Sequence, residues 1–288
     1  MSVVDRATFD VDSLQEVGKK LGFYGSVAVL CAVSFFPVFW IFVTSLKTTG
    51  NIVQFPVHYI PTEVTLDNYR TALTDAPFFR YLVNSAIVAG GTAVVSVLLG
   101  ALAGYALSRL EFDYKVPVLL VILFSAMLPF FSRLIPLFQL ARQVGLLNDY
   151  LGLILPYSAF QLPFAIWIFQ AYFKELPDSL EEAGMMDGLS RLGVLFRIIL
   201  PVSAPAMATA AIIVFIYAWN EFLFALAFMT QDNMRTITVG IALYQGEYTF
   251  PWGTISAAVF MSIVPLILFM LLFQRKIVEG LTAGVGKA

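Results

Sequence analysis

The sequence predicts an all-α polytopic membrane protein, with six transmembrane helices and a helical cytoplasmic loop between the fourth and fifth. Three observations lead there. Hydrophobic residues make up 59% of the 288 residues, only 12% are charged, and the mean hydropathy is +0.84, far above an ordinary soluble domain. Apolar runs of about 20 residues recur, each long enough to cross a bilayer and too many for one soluble core to hide. Lys and Arg concentrate in alternate connecting segments, as the positive-inside rule requires.

The elements follow in order. Residues 1–20 are mixed and charged and read as a cytoplasmic N-terminal tail with room for one short surface helix. The membrane domain covers 21–275. Its first span, near 21–46, follows Lys19 and Lys20. That run is too long for the apolar core of a signal peptide and lacks a small-residue cleavage site, so it reads as an anchor. The polar segment 47–80 holds Pro56, Pro61 and the single histidine, His58, which reads as a surface residue. In the second span, near 81–107, Gly100 and Gly104 make a GxxxG face on which another helix can pack closely. Arg109, Glu111, Asp113 and Lys115 form a charged turn. The third span, near 116–140, contains Pro129, Pro136 and Arg133, and the fourth lies near 150–173. The fifth and sixth lie near 202–229 and 253–273, with a polar segment between them that includes Asp232, Arg235 and Glu247. Residues 276–288 read as a cytoplasmic tail, whose Gly280, Gly284 and Gly286 suit an irregular segment.

The polar interruption at 178–201 carries too many helix signals for a plain connector. Pro177 ends what precedes it, Asp178 is placed to cap a new helix, and Glu181 to reach back in a capping box. Glu181 and Glu182 also suit the positive end of that helix's dipole. Gly188 is its stop, where a left-handed residue is needed and glycine takes that conformation cheaply. Ser190 then caps a second helix whose Leu192, Leu195, Phe196 and Ile199 share one apolar face. Pro201 marks the passage into the fifth span. From pattern alone the stretch is either an elbow lying on lipid headgroups or an element built to protrude.

Orientation rests on the basic residues. With the N-terminus inside, Arg6, Lys19, Lys20, Arg109, Lys115, Lys174, Arg191, Arg197, Arg275, Lys276 and Lys287 are cytoplasmic. Only Lys47, Arg70, Arg80, Arg142 and Arg235 lie outside. Both termini and the 178–201 loop are then cytoplasmic.

Within that loop, Glu182-Ala183-Gly184, three residues, Gly188, nine residues and Ile198-Ile199-Leu200-Pro201 resemble the EAA loop of bacterial ABC-importer permeases. The third position is glycine where that family usually has alanine. Gly145-Leu146-Leu147-Asn148, Leu155-Pro156-Tyr157, Trp219-Asn220-Glu221-Phe222 and Gly280-Leu281-Thr282-Ala283-Gly284 narrow the resemblance to the smaller permease of carbohydrate importers of the maltose/glycerol-3-phosphate type. The resemblance implies that the first helix of the loop is a coupling helix docking on a separate ATPase, with Glu182, Ala183, Gly184, Asp187 and Gly188 as its coupling residues. It implies a prokaryotic cytoplasmic (inner) membrane location, and partners comprising a second, different permease, two ATP-binding subunits, an extracytoplasmic solute-binding protein, the bilayer and a sugar. It implies alternating access driven by ATP and magnesium held in the partner ATPase, with no cofactor or metal in this chain. Arg133, Trp219, Asn220 and Glu221 become candidates for the sugar path or an outer cavity. On straight helices at 1.5 Å per residue, Glu221 lies roughly 30 Å beyond Pro201 and Arg133 roughly 25 Å into its span, both near the outer interface. The plainer reading is that these side chains snorkel or stabilise one another.

Other classes fit poorly. No P-loop pattern occurs, so the chain does not bind ATP in the Walker manner and is not read as an enzyme. Cys31 is the single cysteine, so there is no disulfide framework. A net charge of −2 argues against nucleic acid. An ion-driven secondary transporter is the alternative, but no internal repeat or mid-membrane carboxylate relay is visible.

Overall fold

The computed structural model describes residues 3–244 and 250–282. Its regular elements among these are helical, with one isolated antiparallel bridge between Lys47 and Val64. Helix α1 (Val3–Ser45) is continuous over 43 residues. The tail thus runs into the first span without a break in the helix, and the stretch long and apolar enough to cross a bilayer begins at Gly18. No proline precedes Pro37, and Glu16 and Lys20 pair at 2.8 Å one turn apart across the polar-to-apolar junction.

Two compact units are distinguished by their internal contacts. The first comprises the described residues up to Thr71 together with 250–260, and so holds α1, α2 (Thr49–Val53) and most of α3 (Asp67–Thr74). Lys47 is buried here. Its Nζ donates to the His58 carbonyl at 2.5 Å and lies 4.6 Å from the Trp40 ring centre, which compensates a cation taken out of water.

The second unit contains α4 (Phe78–Arg109), α5 (Lys115–Met127), α6 (Leu134–Gln143), α7 (Tyr150–Glu175), α8 (Asp178–Met186) and α9 (Arg191–Val194). After α9 come a π turn at Leu195–Ile199, α10 (Leu200–Val202), α11 (Ala204–Asn220), α12 (Leu223–Phe228) and α13 (Ile237–Leu243). The last helix, α14 (Trp252–Thr282), begins in the first unit and continues in the second from Met261. It stays helical through Gly280, so the irregular tail expected from 276 is not observed to Thr282; residues 283–288 lie outside the described residues, as does Glu247.

Four helices are long and apolar enough to cross a bilayer, within Gly18–Ser45, Phe78–Arg109, Tyr150–Glu175 and Trp252–Leu272. The third and fifth expected spans are not straight. Lys115–Met127 meets Phe131–Gln143 at 96°, and Arg191–Val202 meets Ala204–Asn220 at 81°, so the count is six only if each bent pair is one span. Proline explains the first break: Leu128 precedes Pro129 and takes an extended ψ of 132°. At the second, Ser203 leaves helical geometry two residues before Pro205. The straight-helix count to Arg133 crosses the first bend, whereas the count to Glu221 lies almost wholly along α11, beyond the second.

Glycine sets the main packing in this unit. A Cβ on Gly100 would lie 2.6 Å from the Ala165 Cβ, and one on Gly104 2.6 Å from the Phe169 Cβ. Gly91 meets the Ile154 side chain nearer the start of both helices, so α4 and α7 run parallel, with their backbones close at Gly100 and Gly104. At the start of α4, the Asn84 amide donates to the carbonyls of Asn233 and Arg235 at 2.9 and 2.8 Å, and its oxygen accepts from the Tyr150 hydroxyl at 2.8 Å.

Candidate functional site

The 178–201 loop folds as helix, glycine turn, helix. Gly188 takes φ +86°, the left-handed conformation the sequence calls for. Its amide and that of Leu189 close the end of α8 on Met185 and Gly184 carbonyls at 3.0 Å. Ser190 caps α9, its hydroxyl accepting from the Gly193 amide at 3.2 Å.

The start of α8 differs from expectation. Pro177 occupies the cap position and Asp178 is the first helical residue, with no side-chain cap. The Asp178 carboxylate is taken instead by Arg109, the last residue of α4. Glu181 does not reach back in a capping box. It is buried, accepts from the Tyr105 hydroxyl, and has Oε2 3.9 Å from the Arg109 Nε. For Asp178 the guanidinium supplies a full positive charge as well as a donor, where a backbone amide supplies a donor alone. Arg109 further donates to the Phe173 and Leu176 carbonyls at 2.7 and 2.5 Å, satisfying the end of α7. The whole guanidinium sits in a side chain only 8% exposed, while Asp178 is 80% exposed.

Behind the loop, the apolar face is not the one expected. Leu195 and Ile199 are buried, but Leu192 and Phe196 are exposed, and Val194 and Leu200 take their place in the core. The π turn is the cause. It adds a residue to one turn and rotates the face, and the wider turn accommodates Pro201, which has no amide to offer. These residues pack with Val97, Ala101, Tyr105, Phe169 and Phe173 of α4 and α7. Gly184 is buried against Ile198 and Val194, where a Cβ would come within 2.6 and 3.0 Å.

The outward face of α8 is open. Glu182, Ala183, Met185, Met186 and Asp187 are exposed, Met186 at 88%. Beside it, Ser108, Arg109, Asp178, Glu182 and Arg191 line a polar cavity of about 340 Å³. So Glu182, Ala183 and Asp187 share one exposed surface, Gly184 supplies the packing beneath it, and Gly188 the turn.

The four candidates for the sugar path do not come together in this way. Trp219 is buried, stacks on Phe215 at 5.5 Å, and borders an apolar groove of about 950 Å³ between α4, α11 and α14. Asn220 is exposed and donates to its own helix at Ile216. Glu221 is buried. Its carboxylate accepts from the Tyr157 hydroxyl and from the Phe224 and Ala225 amides at 3.0 and 3.1 Å, capping α12 where α11 breaks. Arg133 is half-buried, donates to the Ser125 and Leu128 carbonyls freed by the break at Pro129, and lies 4.9 Å from the Phe160 ring centre. Among the described residues no group of His, Cys, Asp and Glu is placed to hold a metal.

Sequence reasoning missed Tyr105, Arg109 and Tyr157. By sequence Arg109 reads as part of a charged turn and as one of the cytoplasmic basic residues. Its position as the single cation ending a long apolar helix was a usable signal, but nothing local links it to acids 69 and 72 residues on.

Apolar helices carrying an amphipathic loop, tethered at its root and bare on its outer face, define a multi-pass membrane component. The chain belongs to the family described as binding-protein-dependent transport system inner membrane components, whose model matches residues 96–281. Relatives agree over nearly their full length. The sulfoquinovosyl glycerol transport system permease SmoH of Agrobacterium fabrum is 41% identical over 93% of both chains. The trehalose/maltose transport system permease MalG of Thermococcus litoralis is 40% identical over 95% of this chain and 99% of its own. A solved bacterial ABC transporter involved in importing the acidic polysaccharide alginate superposes with a TM-score of 0.75 over 96% of this chain and 98% of that one. At 22% identity it speaks for the fold.

Proposed function

We propose that the chain is a permease subunit of an ATP-driven, binding-protein-dependent importer of a sugar or sugar derivative. It forms half of the translocation path, with a second permease forming the other half. Two ATP-binding subunits holding ATP and magnesium sit on the cytoplasmic side, and a solute-binding protein delivers the sugar from outside. Both termini are cytoplasmic in this reading. Family membership and relatives named for trehalose, maltose and sulfoquinovosyl glycerol support the substrate class.

The observation that carries the mechanical part is the two-sided construction of α8. One side is fixed to α4 through Arg109 and Tyr105 and packs through Gly184 on Val194 and Ile198 of the following turn, and the other presents Glu182, Ala183, Met186 and Asp187 to a partner. An elbow resting on headgroups has no use for a buried arginine that ties its root to two other helices. The chain supplies the grip on the ATPase and no hydrolytic machinery. The ion-driven alternative gains nothing from Glu221, whose carboxylate is held by three protein bonds as a static cap.

The test is reconstitution of the full assembly in vesicles, with sugar uptake and substrate-stimulated ATP hydrolysis measured together. Glu182→Ala should weaken association with the ATP-binding subunit. If the carboxylate pairs with a base out of water there, the loss is about 2–5 kcal/mol. The purified chain alone should hydrolyse no ATP. Uptake by the Glu182→Ala assembly at the parent's rate and affinity would refute the docking role of this face.

A further inference from the structure

The joint between α7 and α8 is short and mechanically weak as a chain. Only Leu176 and Pro177 separate the two helices, and both are extended, with ψ of 136°. No helical hydrogen bonds cross them, so the backbone alone leaves α8 free to swivel about two residues, the usual make-up of a hinge. Arg109 bridges that joint from outside it. Sitting at the end of α4, it holds the last carbonyls of α7 on one side and Asp178 and Glu181 of α8 on the other.

We propose that Arg109 is a positioning residue that makes α8 move as one body with α4 and α7, converting a pull on the loop into displacement of the membrane helices. The proposal rests on the reading of α8 as the docking element. The geometry separates the two tasks. The exposed docking face is built from Glu182, Ala183, Met186 and Asp187, whereas the guanidinium lies almost wholly buried at the root and spends its donors on Asp178 and the Phe173 and Leu176 carbonyls. The joint also has a defined amount of play. The Arg109 Nε is buried with no hydrogen bond, 3.9 Å from the Glu181 Oε2, about 1 Å beyond a good N–H···O distance. A small closing movement of α8 would form that bond and leave the others within reach, which gives the joint a second bonded arrangement.

A mere helix cap would fail in stability and coupling together; a stiffener fails in coupling alone. The complete importer is therefore reconstituted with Arg109→Met, which keeps the apolar stem, and with Arg109→Lys, which keeps charge but not the planar fork. Association with the ATP-binding subunits, sugar imported per ATP hydrolysed, and thermal midpoint are measured side by side. Both variants should associate as the parent does, while sugar imported per ATP falls about tenfold or more, within the range of coupling between sites. In a Cys31→Ser background, Arg109→Cys with Asp178→Cys joined by a short thiol-specific linker should recover coupling, because a covalent tie replaces the ionic one.

Parent-like coupling in Arg109→Met overturns the proposal. So does a proportional loss of association, midpoint and coupling in both variants, or a linked double variant that stays uncoupled. If Arg109→Met is parent-like while Glu182→Ala and Gly188→Val lose transport, the stiffening role falls and the docking reading stands. If those two also transport like the parent, the docking reading falls first.

Discussion

Gly188 offers a test in which backbone conformation is the only variable. Its φ is +86°, and a Cβ added there meets nothing within 4 Å. Substitution by alanine therefore adds no clash with a neighbour and costs only what an L-residue pays in the left-handed region, about 1–2 kcal/mol. That cost is a factor of about 5–30 in the population of the correctly turned loop. Valine, branched at Cβ, is an outlier at positive φ and should cost more than alanine; asparagine tolerates this region and should cost less. The order expected for sugar uptake in reconstituted vesicles is Gly, Asn, Ala, Val. Membrane insertion should be unchanged throughout, and any residual ATP hydrolysis in Gly188→Val should no longer respond to substrate. Asparagine failing as badly as valine would refute the argument, because no contact distinguishes them at this site. Equal uptake by all four would refute it too.

Other substitutions probe the packing and the caps. Gly184→Ala should cost toward the lower end of the roughly 1–3 kcal/mol expected for overpacking, since the nearest atom is the mobile δ-methyl of Ile198, and Gly184→Val toward the upper end, read as the thermal midpoint in detergent. Gly100→Ala should lower the midpoint more than Gly184→Ala, because its neighbours are the Cβ and carbonyl carbon of Ala165, which cannot rotate away; Gly90→Ala, with open space around it, is the neutral or stabilising control. Glu221→Ala strands the buried amides of Phe224 and Ala225 at about 1–3 kcal/mol each, and Glu221→Gln should recover part of that, checked by the same unfolding measurement.

What could be read in advance was what the chain dictates locally. The apolar runs, the glycine stop at Gly188, the Ser190 cap and the Gly100/Gly104 face depend on composition and spacing within a few residues, and the structure places them as read. What could not be read was how side chains far apart compete for one another. Asp178 and Glu181 look like caps because their nearest donors are the amides of their own helix. Arg109 takes one and, with Tyr105, the other, and both arrive from another helix entirely. Glu221 is a pathway candidate by sequence because a carboxylate in an apolar run invites a function; that it also accepts from two amides at the break after α11 is a tertiary fact no local pattern announces. Trp219, one residue earlier, was grouped with it by sequence, yet it turns to the groove beside Phe215. The bend at Leu128 undid depth counting for Arg133, since a rise per residue measures distance only along one axis.

The glycine contact between α4 and α7 makes these helices a paired strut. Two parallel rods in backbone contact resist bending far more than either rod alone, because neither can bow without sliding against the other. From Arg109 to Asn84 the strut is about 38 Å long at 1.5 Å per residue. It is bonded at one end by a guanidinium and at the other by an asparagine amide that ties the Asn233 and Arg235 carbonyls and the Tyr150 hydroxyl, so the simplest motion that keeps these contacts is a tilt of the whole. A tilt displaces the two ends in opposite directions by amounts set by where the pivot lies. A substitution that moved the pivot would alter the stroke at the far end while leaving every contact at both ends in place.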